Sequence, residues 1–300
     1  MGFHAVLGGD GAIGRATADA LCAEGLDARR LTRADADATD AAALVRALDG
    51  ADVVYDCVGL PYDAALWTTG FPAISTALVS ACEAVGARIV YFDNVYLYGP
   101  APLPVPFDED TPRCPPSKKG RARKTAVEIV MAADRAGRVP VTVGRAADFY
   151  GPGAVNSPFY ISFLENMLQG RPPRVAMPEG PVHTYAYSRD MGRALALLGQ
   201  DEGAFGQEFH LPVGPPVKVS EMAALFNAAL GTSLKVTQIP GIVLRGLGLV
   251  APLIREVHEM SYQYRTDYVM SDAKFRARFP EFAPTSYAEG VAAMVRHFRG

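Results

Sequence analysis

Three glycines near the start of the chain have the spacing and surroundings that phosphate binding requires. They follow one another at intervals of three residues, after the apolar run 4–7 and before a helical pattern that begins at Arg15. Glycine lets the backbone turn tightly and approach a pyrophosphate, while the N-terminus of the helix offers free N–H groups to that anion. A glycine-rich turn that binds nothing is the alternative, but the position between strand and helix favours a dinucleotide site. Its predicted residues are Gly8, Gly11, Ala12, Ile13 and Gly14.

The end of the second predicted strand, 25–33, indicates which dinucleotide the site would take. NAD-selective sites usually have Asp or Glu there, to bind the ribose 2′-hydroxyl. This chain has Thr32 and Arg33 instead, with Arg29 and Arg30 just before them. Because a guanidinium suits a 2′-phosphate and a hydroxyl can bond to it, the prediction is NADP, with NAD as the alternative. The alternative is that Arg33 is an ordinary exposed arginine at a strand end and binds no phosphate.

The third apolar strand, 51–59, ends in Cys57, Val58 and Gly59, which we expect beside the riboses of the dinucleotide. Helices and strands then alternate regularly, with the next helix predicted over 72–85. Such alternation predicts an α/β fold with a Rossmann-type doubly wound parallel sheet. In sheets of this kind, ligands bind at the carboxyl ends of the strands.

The regular alternation stops near Gly151, which divides the chain into two predicted parts. Residues 1–150, together with about 183–200, are expected to form the dinucleotide-binding domain. Residues 151–182 and 201–300 are expected to form a smaller, mixed α/β domain that binds the substrate. A small-molecule substrate would then meet the dinucleotide between the two parts.

The composition argues against several other classes of protein. The chain has 300 residues, of which 49% are hydrophobic and 20% charged, and its net charge of −3 gives a pI near 6.0. That balance does not support nucleic-acid binding by bulk charge. The four cysteines are widely spaced without a metal-ligand pattern, which predicts reduced thiols in a cytoplasmic protein and no bound metal. The most apolar late run, 239–254, contains Arg245 and two prolines, so we expect no membrane span there.

Beyond the glycine turn, three further stretches follow known patterns. Residues 93–99, DNVYLYG, match S-S-x-x-V-Y-G, and residues 145–153, RAADFYGPG, match R-x-x-x-x-Y-G-P-G. Residues 183–195 match F-x-Y-V-x-D-V-A-x-A, with Asp190 in the Asp position. With these motifs in this order, the chain resembles the extended short-chain dehydrogenase/reductase family, the NAD(P)-dependent epimerases and dehydratases. The resemblance covers most of the chain and is clear to about residue 200.

The resemblance implies a catalytic pair Y-x-x-x-K on a helix, whose spacing puts both side chains on one face. In that family the lysine lowers the pKa of the phenol, which exchanges a proton with the substrate while the cofactor moves a hydride. The matching helix here is 117–130, in which Lys124, followed by Glu128, takes the lysine position. Gly120 stands four residues before Lys124, so the phenol is absent, and Asn94 stands where the family has Ser or Thr. The chain therefore looks like an atypical member.

The side chains left for chemistry follow the strand 88–92, where the resemblance places the nicotinamide. Asp93 would serve as a base if burial raised its pKa, and Tyr96 or Tyr98 would serve as a substitute phenol. Alternatively, Asp93 and Asn94 only cap the loop with hydrogen bonds. The predicted catalytic residues are Asp93, Asn94, Tyr98 and Lys124, with Lys124 also expected nearest to the nicotinamide ribose.

A run of cations opens the helix that carries Lys124. Its members are Lys118, Lys119, Arg121, Arg123 and Lys124. Cations at a helix N-terminus oppose the helix dipole, so a compensating anion is expected nearby. The acidic loop 108–110 is one candidate, and a phosphate of the cofactor or the substrate is the other.

Two features are expected to serve packing or assembly. The aromatic group Tyr262, Tyr264 and Tyr268 is expected in the core or at an interface. Extended members of the family often pair through two helices, which match 72–85 and 117–136 here, so the resemblance implies a homodimer. The predicted apolar contacts are Ile74, Leu78, Val85, Val127, Val130 and Met131.

Two functions are consistent with these residues. The first is an NAD(P)-dependent oxidoreductase or epimerase/dehydratase-like enzyme that acts on a small carbonyl or hydroxyl substrate, sugar-like and nucleotide-linked compounds included. It would use a non-standard acid such as Asp93 or a tyrosine of the cleft. The second is a non-catalytic, dinucleotide-binding redox sensor or regulator, because Gly120 and Asn94 replace two proton-handling groups.

Overall fold

The structure, a computed structural model, describes residues 2–176, 178–240 and 252–300. Most of the apolar run 239–254 lies outside the described residues. The described strands are β1 Phe3–Leu7, β2 Ala28–Leu31, β3 Ala51–Asp56, β4 Arg88–Asn94, β5 Val141–Ala146, β6 Phe149–Tyr150, β7 Arg174–Val175, β8 Val182–His183, β9 Ala186–Tyr187, β10 Glu208–His210, β11 Val217–Lys218 and β12 Thr237–Gln238. The described helices are α1 Ala12–Ala23, α2 Ala41–Ala47, α3 Ala64–Val85, α4 Lys118–Arg135, α5 Glu165–Leu168, α6 Ser188–Gln200, α7 Val219–Leu230, α8 Pro252–Met260, α9 Ala273–Arg278 and α10 Tyr287–Arg299.

Six parallel strands form the central sheet, in the order β10–β5–β4–β3–β1–β2. The predicted α/β fold with a doubly wound parallel sheet is confirmed. Helices cover both faces of the sheet, so its central strands are apolar on both sides, and all six residues of β5 are buried. The strand order changes direction at β1, which lies between β2 and β3. Ligands of such sheets bind beyond the carboxyl ends of the strands at this point.

The helices form one layer on each face of the sheet. Helices α3 and α4 pack together on one face, and α1 and α6 pack together on the other. The second pair approaches so closely that a Cβ on Gly192 would lie 2.3 Å from the carbonyl carbon of Ala16. The first part of the chain therefore needs α6 to cover its sheet.

Strand β10 extends the first part further than the predicted boundary. The prediction assigned residues 201–300 to the substrate domain, but β10 pairs with β5 at the edge of the central sheet. The pairing is reinforced by a bond from Val143 N to Gln207 O at 3.1 Å and one from Leu211 N to Arg145 O at 2.8 Å. A strand of three residues has too little periodicity to reveal its partner in the sequence.

Helix α3 begins earlier than predicted. The prediction started it at Pro72, because proline is common in the first turn of a helix. In the structure Asp63 caps the helix, since its carboxylate accepts from Ala65 N and Leu66 N, and Pro72 lies inside. Among the described residues, α3 is also the one helix long and apolar enough to cross a membrane, with a mean hydropathy of 1.2. Half of that window is buried inside the protein, as in a core helix.

The residues predicted to form a dimer interface on α3 and α4 are mostly unavailable. Apart from Val85, each of them is at most 6% exposed within the single chain. Their helical faces are covered by the sheet and by each other, so the prediction of these contacts is wrong. The apolar stripes of α3 and α4 belong to the core.

The second half packs around an apolar cluster of its own. The cluster includes Phe159, Phe163, Met222, Phe226 and Val291, and α7 packs on α10 beside it. Pairs of short strands, β8 with β11, β7 with β12 and β6 with β9, complete this half. Helix α8 and the 3₁₀ turn Ser261–Tyr264 that follows it return to the carboxyl edge of the central sheet.

Candidate functional site

The glycine loop between β1 and α1 has the geometry of an anion cradle. Gly8 has φ +67°, a left-handed conformation that favours glycine. Gly11 N donates to Gly8 O at 2.9 Å, and Gly11 begins α1 without a side-chain cap. A Cβ on Gly14 would lie 2.3 Å from Gly8 O, so the loop has room for backbone only. Its N–H groups and the helix N-terminus fit the pyrophosphate of a dinucleotide.

A cavity of about 1050 Å³ runs from this loop into the second half of the chain. The predicted cofactor residues on its wall are Gly8, Gly11, Thr32, Arg33, Cys57, Val58 and Gly59. The other four do not line it: Ala12, Ile13 and Gly14 form the first turn of α1, and Lys124 lies on α4. The wall from the second half includes Asn156, Ile161, Ser162, Val257, Met260 and Tyr264.

The loop after β2 is organised around Asp35. Its Oδ2 accepts from Thr32 N at 2.7 Å and from Thr32 Oγ1 at 2.9 Å, and these bonds lower the pKa of Asp35. Arg33 is exposed on the cavity wall. Arg29 points elsewhere, since it lies 2.8 Å from Asp27 and 3.9 Å from the centre of the Phe3 ring. Of the three predicted arginines, Arg33 is therefore the one that lines the cavity, whereas Arg29 and Arg30 do not.

The predicted base, Asp93, does not reach the cavity. It is 1% exposed, and its Oδ1 accepts from Arg123 Nε at 2.7 Å while its Oδ2 accepts from Arg145 Nε at 3.1 Å. Arg145 also binds Glu208 at 2.6 Å. A carboxylate whose two oxygens are held by buried guanidinium groups is a structural anion. The prediction of Asp93 as a base is therefore corrected.

Asn94 and Tyr98 also have structural contacts. Asn94 Oδ1 accepts from Tyr96 N at 3.1 Å, which is the loop-capping alternative. Tyr98 is 1% exposed, accepts from Arg145 Nη1 at 2.9 Å and lies 2.6 Å from His210 Nε2. Burial raises the pKa of Tyr98 to about 12. Neither side chain lines the cavity, so the prediction of Tyr98 as a substitute phenol is also corrected.

Helix α4 turns a different face to the core from the predicted one. Lys124 is 36% exposed and lies 3.7 Å from Glu128 on the outer surface, so it is not near the cavity. The buried cations at i and i+4 are Lys119 and Arg123. Gly120 packs on the loop after β4, where a Cβ would lie 2.2 Å from Tyr96 O. The face of α4 that carries Lys119 and Arg123 therefore turns to the core, and the face that carries Lys124 does not.

The anions that compensate Lys119, near the start of α4, come from α8. Lys119 is fully buried, donates to Glu259 Oε2 at 2.8 Å, contacts the Glu256 carboxylate and lies 4.6 Å from the centre of the Tyr62 ring. Glu256 also accepts from Ala64 N at 3.0 Å, at the start of α3. Neither the acidic loop 108–110 nor a phosphate is needed to explain the buried Lys119. The two carboxylates bind the starts of α3 and α4 together.

A carboxylate that the sequence analysis missed joins two phenols on the cavity wall. Tyr96 Oη donates to Asp148 Oδ1 at 3.1 Å, and Tyr264 Oη donates to Asp148 Oδ2. Both tyrosines line the cavity, although Tyr264 was expected in the core or at an interface. Burial raises the pKa of Asp148, and the two phenol bonds offset only part of that rise. We refer to Tyr96, Asp148 and Tyr264 as the Asp148 cluster.

Residues 4–211 match the model of the NAD dependent epimerase/dehydratase family. The chain belongs to this family. The match covers Asp148 and the parts that line the cavity in the first half, among them the glycine loop, the ends of β2 and β3, and Tyr96.

Two curated relatives have named activities. A dTDP-4-dehydrorhamnose reductase of Mycolicibacterium smegmatis is 28% identical over 43% of this chain and 41% of its own length. A dTDP-6-deoxy-L-talose 4-dehydrogenase (NAD(P)(+)) of Kitasatospora kifunensis is 30% identical over 50% of this chain and 53% of its own length. The chain thus spans about half the length of the curated relatives it matches.

The fold of this family member is also that of solved structures. DesIV, a dTDP-glucose 4,6-dehydratase from Streptomyces venezuelae with NAD and TYD bound, superposes with a TM-score of 0.79. The alignment covers 99% of this chain and 96% of DesIV at 18% identity, which shows a shared fold.

Proposed function

We propose that this family member is an NAD(P)-binding oxidoreductase or epimerase/dehydratase-like enzyme that acts on a small carbonyl or hydroxyl compound. The observation that carries this proposal is the continuity of the cavity. Its wall includes the glycine loop, residues of the second half of the chain, and Tyr96 and Tyr264, whose hydroxyls bond to Asp148. A volume of about 1050 Å³ suits an extended ligand with a smaller one beside it.

The cofactor would lie along the first half of the cavity wall. The glycine loop would hold the pyrophosphate, Arg33 would lie beside the adenosine ribose, and Cys57, Val58 and Gly59 would face the riboses. When bound, the nicotinamide would donate or accept a hydride. Arg33 favours NADP over NAD, because its guanidinium can pair with a 2′-phosphate.

The substrate would bind against the second half of the wall. Ile161, Val257 and Met260 offer apolar surface there, and Asn156 and Ser162 offer hydrogen bonds. Such a wall suits a compact compound with both apolar and hydroxyl groups, as in a deoxysugar. The named relatives act on dTDP-linked sugars, which makes nucleotide-linked sugars the first compounds to test.

The test begins with binding. Purified protein titrated with NADPH and NADH in a calorimeter should bind both, and Gly14→Val should lose most of that affinity, because its side chain would enter the Gly8 carbonyl. Gly180→Ala is the matched control, since a Cβ there has nothing within 4 Å. Absence of binding by the wild type, or equal binding by a folded Gly14→Val variant, would refute the proposal.

A second candidate function, a non-catalytic dinucleotide-binding sensor or regulator, is favoured by one observation. Lys119 and Arg123, the buried cations of α4, are bound to Glu256, Glu259 and Asp93, not directed into the cavity. Turnover separates the two functions. Oxidation of NADPH with any member of a panel of nucleotide sugars and small carbonyl compounds supports the enzyme, whereas tight binding without oxidation supports the sensor.

We also propose a cytoplasmic homodimer. The proposal rests on the family resemblance and on the outer surface of α3, where Leu66 is 41% exposed. Light scattering at micromolar concentration should give twice the mass of the chain, and a monomer would contradict this assembly.

A further inference from the structure

We propose that the Asp148 cluster handles the substrate proton: a phenol, Tyr96 or Tyr264, exchanges it with the substrate oxygen, and Asp148 supplies and takes it back. This inference rests on the proposed function and names the groups that would replace the tyrosine missing from α4. Asp148 acts through the two phenols, since it does not itself line the cavity.

The geometry brings the three groups together from separate parts of the chain. Tyr96 lies in the 3₁₀ turn Val95–Leu97 after β4, Asp148 lies between β5 and β6, and Tyr264 ends the turn after α8. Each phenol bonds to a different carboxylate oxygen. When Asp148 is protonated, it can donate to one phenol, whose own hydrogen is then free for the substrate oxygen, while its other oxygen still accepts from the second phenol. Tyr96 therefore comes from the first half of the chain and Tyr264 from the second half.

The ring of Tyr96 is held in place on its other side. Trp67 stacks on it with ring centres 6.2 Å apart and an interplanar angle of 15°. Trp67 is itself fixed by Tyr62, whose ring meets it edge-on at 5.5 Å. A phenol oriented before substrate arrives loses little freedom during proton transfer.

The surroundings of Asp148 are aromatic and uncharged. Further phenols near it are Tyr62, Tyr185, Tyr262 and Tyr268. The ring of His183 lies 5.1 Å from that of Tyr264. Within the described part of the chain, Asp148 has no ion pair, unlike Asp93, which has two. A buried carboxyl without a cation favours its protonated form, so burial raises the pKa of Asp148.

The proposed step balances as follows in the reductive direction. With a reduced dinucleotide bound, the substrate carbonyl carbon would gain a hydride and its two electrons. The O–H bond of one phenol breaks as an O–H bond forms on the substrate oxygen. The phenolate regains a proton from the Asp148 carboxyl, and Asp148 regains one from water when the product leaves. In the oxidative direction each transfer is reversed.

The first test needs no cofactor. Infrared spectra of the apoprotein, recorded across a pH titration as wild type minus Asp148→Asn, should show a protonated carboxyl that persists to higher pH than exposed aspartates. Burial also raises the pKa of Asp56, to about 6, but the Asp56 band is present in both spectra and should cancel in the difference. The spectrum of wild type minus Asp56→Asn identifies the Asp56 band. A difference spectrum that titrates like an exposed aspartate would overturn the inference, whatever the activity of the protein.

The second test uses kinetics with a substrate found by the turnover panel. Tyr96→Phe or Tyr264→Phe should lower kcat by about 10²-fold or more, the usual contribution of a general acid, with little change in dinucleotide affinity. Asp148→Asn should lower kcat and remove the Asp148 limb of its pH profile. Tyr185→Phe is the matched control, since the buried Tyr185 hydroxyl has no bonded partner among the described residues and does not line the cavity.

The two tests separate this inference from the proposed function. If the dinucleotide binds and turns over while Asp148→Asn keeps the wild-type pH profile, the inference is wrong and the proposed function stands. If the dinucleotide does not bind, the proposed function fails, and the infrared titration alone decides whether Asp148 holds a proton.

Discussion

Lys119 Nζ lies 2.8 Å from Glu259 Oε2, and this contact joins α4 to α8 across 140 residues of sequence. This contact fixes α8, whose residues Val257 and Met260 line the cavity. The same helix leads directly to Tyr264 and so to the Asp148 cluster. A pair of charges that does not line the cavity thus holds the helix that forms part of its wall.

Lys119→Ala should therefore loosen α8. The variant leaves Glu256 and Glu259, with side chains 12% and 23% exposed, without their cation, and breaking such a pair costs roughly 3 kcal/mol. Hydrogen exchange should rise across 254–264. Lys118→Ala is the control, because Lys118 contacts Glu259 through its backbone N–H, which alanine keeps. Equal exchange in the two variants would contradict the role given to Lys119.

Arg33→Ala should remove the preference for NADP. A charge-assisted contact with a 2′-phosphate is worth roughly 1.5–3 kcal/mol, or about ten- to a hundred-fold in affinity. NAD binding should hardly change, and the wild-type preference should shrink as salt is added. Calorimetric titration with both cofactors measures this, with Arg29→Ala as the control, since Arg29 is bound to Asp27. Equal losses for the two cofactors would indicate that Arg33 stacks on adenine instead.

Asp93→Asn should destabilise the protein whether or not it is an enzyme. The change leaves Arg123 and Arg145 buried without their shared anion, which costs about 3–5 kcal/mol. Urea unfolding measures the loss. Glu83→Gln is the control, since its pair with Arg138 is more than 40% exposed on both sides and should contribute below about 1 kcal/mol. A stable but inactive Asp93→Asn variant would restore Asp93 as a base.

His183 should make stability depend on pH. Burial lowers its pKa to about 4, below its ordinary value of 6.5, so the unfolded chain binds the extra proton between these values. Stability should therefore fall as the pH drops from about 6.5 to 4, by up to about 1.4 kcal/mol per unit. His183→Phe keeps an aromatic ring and removes the titration. The difference in unfolding free energy between wild type and variant should show this slope, and a flat difference would contradict it.

The sheet could be predicted from the sequence because its signals are local. Each of β1, β3, β4 and β5 is a short apolar run, and the turn after β1 carries its glycines within seven residues. The same locality explains why the sequence predicts Gly8, Gly11, Arg33 and Cys57 as cofactor-binding residues, all of which line the cavity.

The contacts that shape the far end of the cavity could not be predicted, because they join residues distant in sequence. Tyr264 meets Asp148 across 116 residues, and Lys119 meets Glu256 across 137. The sequence does contain a local signal for which face of α4 is buried. Counting back from the buried Val127 in steps of four gives Arg123 and Lys119, which share its face, whereas Lys124 does not.

Strand β10 is synthesised well after β5, its partner in the sheet, and this delay affects how the chain folds during synthesis. The open edge of β5 is paired only when Glu208–His210 has been made, some sixty residues after β5 itself. Until then the nascent chain presents an apolar strand with unpaired N–H and C=O groups, which other chains can join. Slow translation between β5 and β10 should therefore favour aggregation.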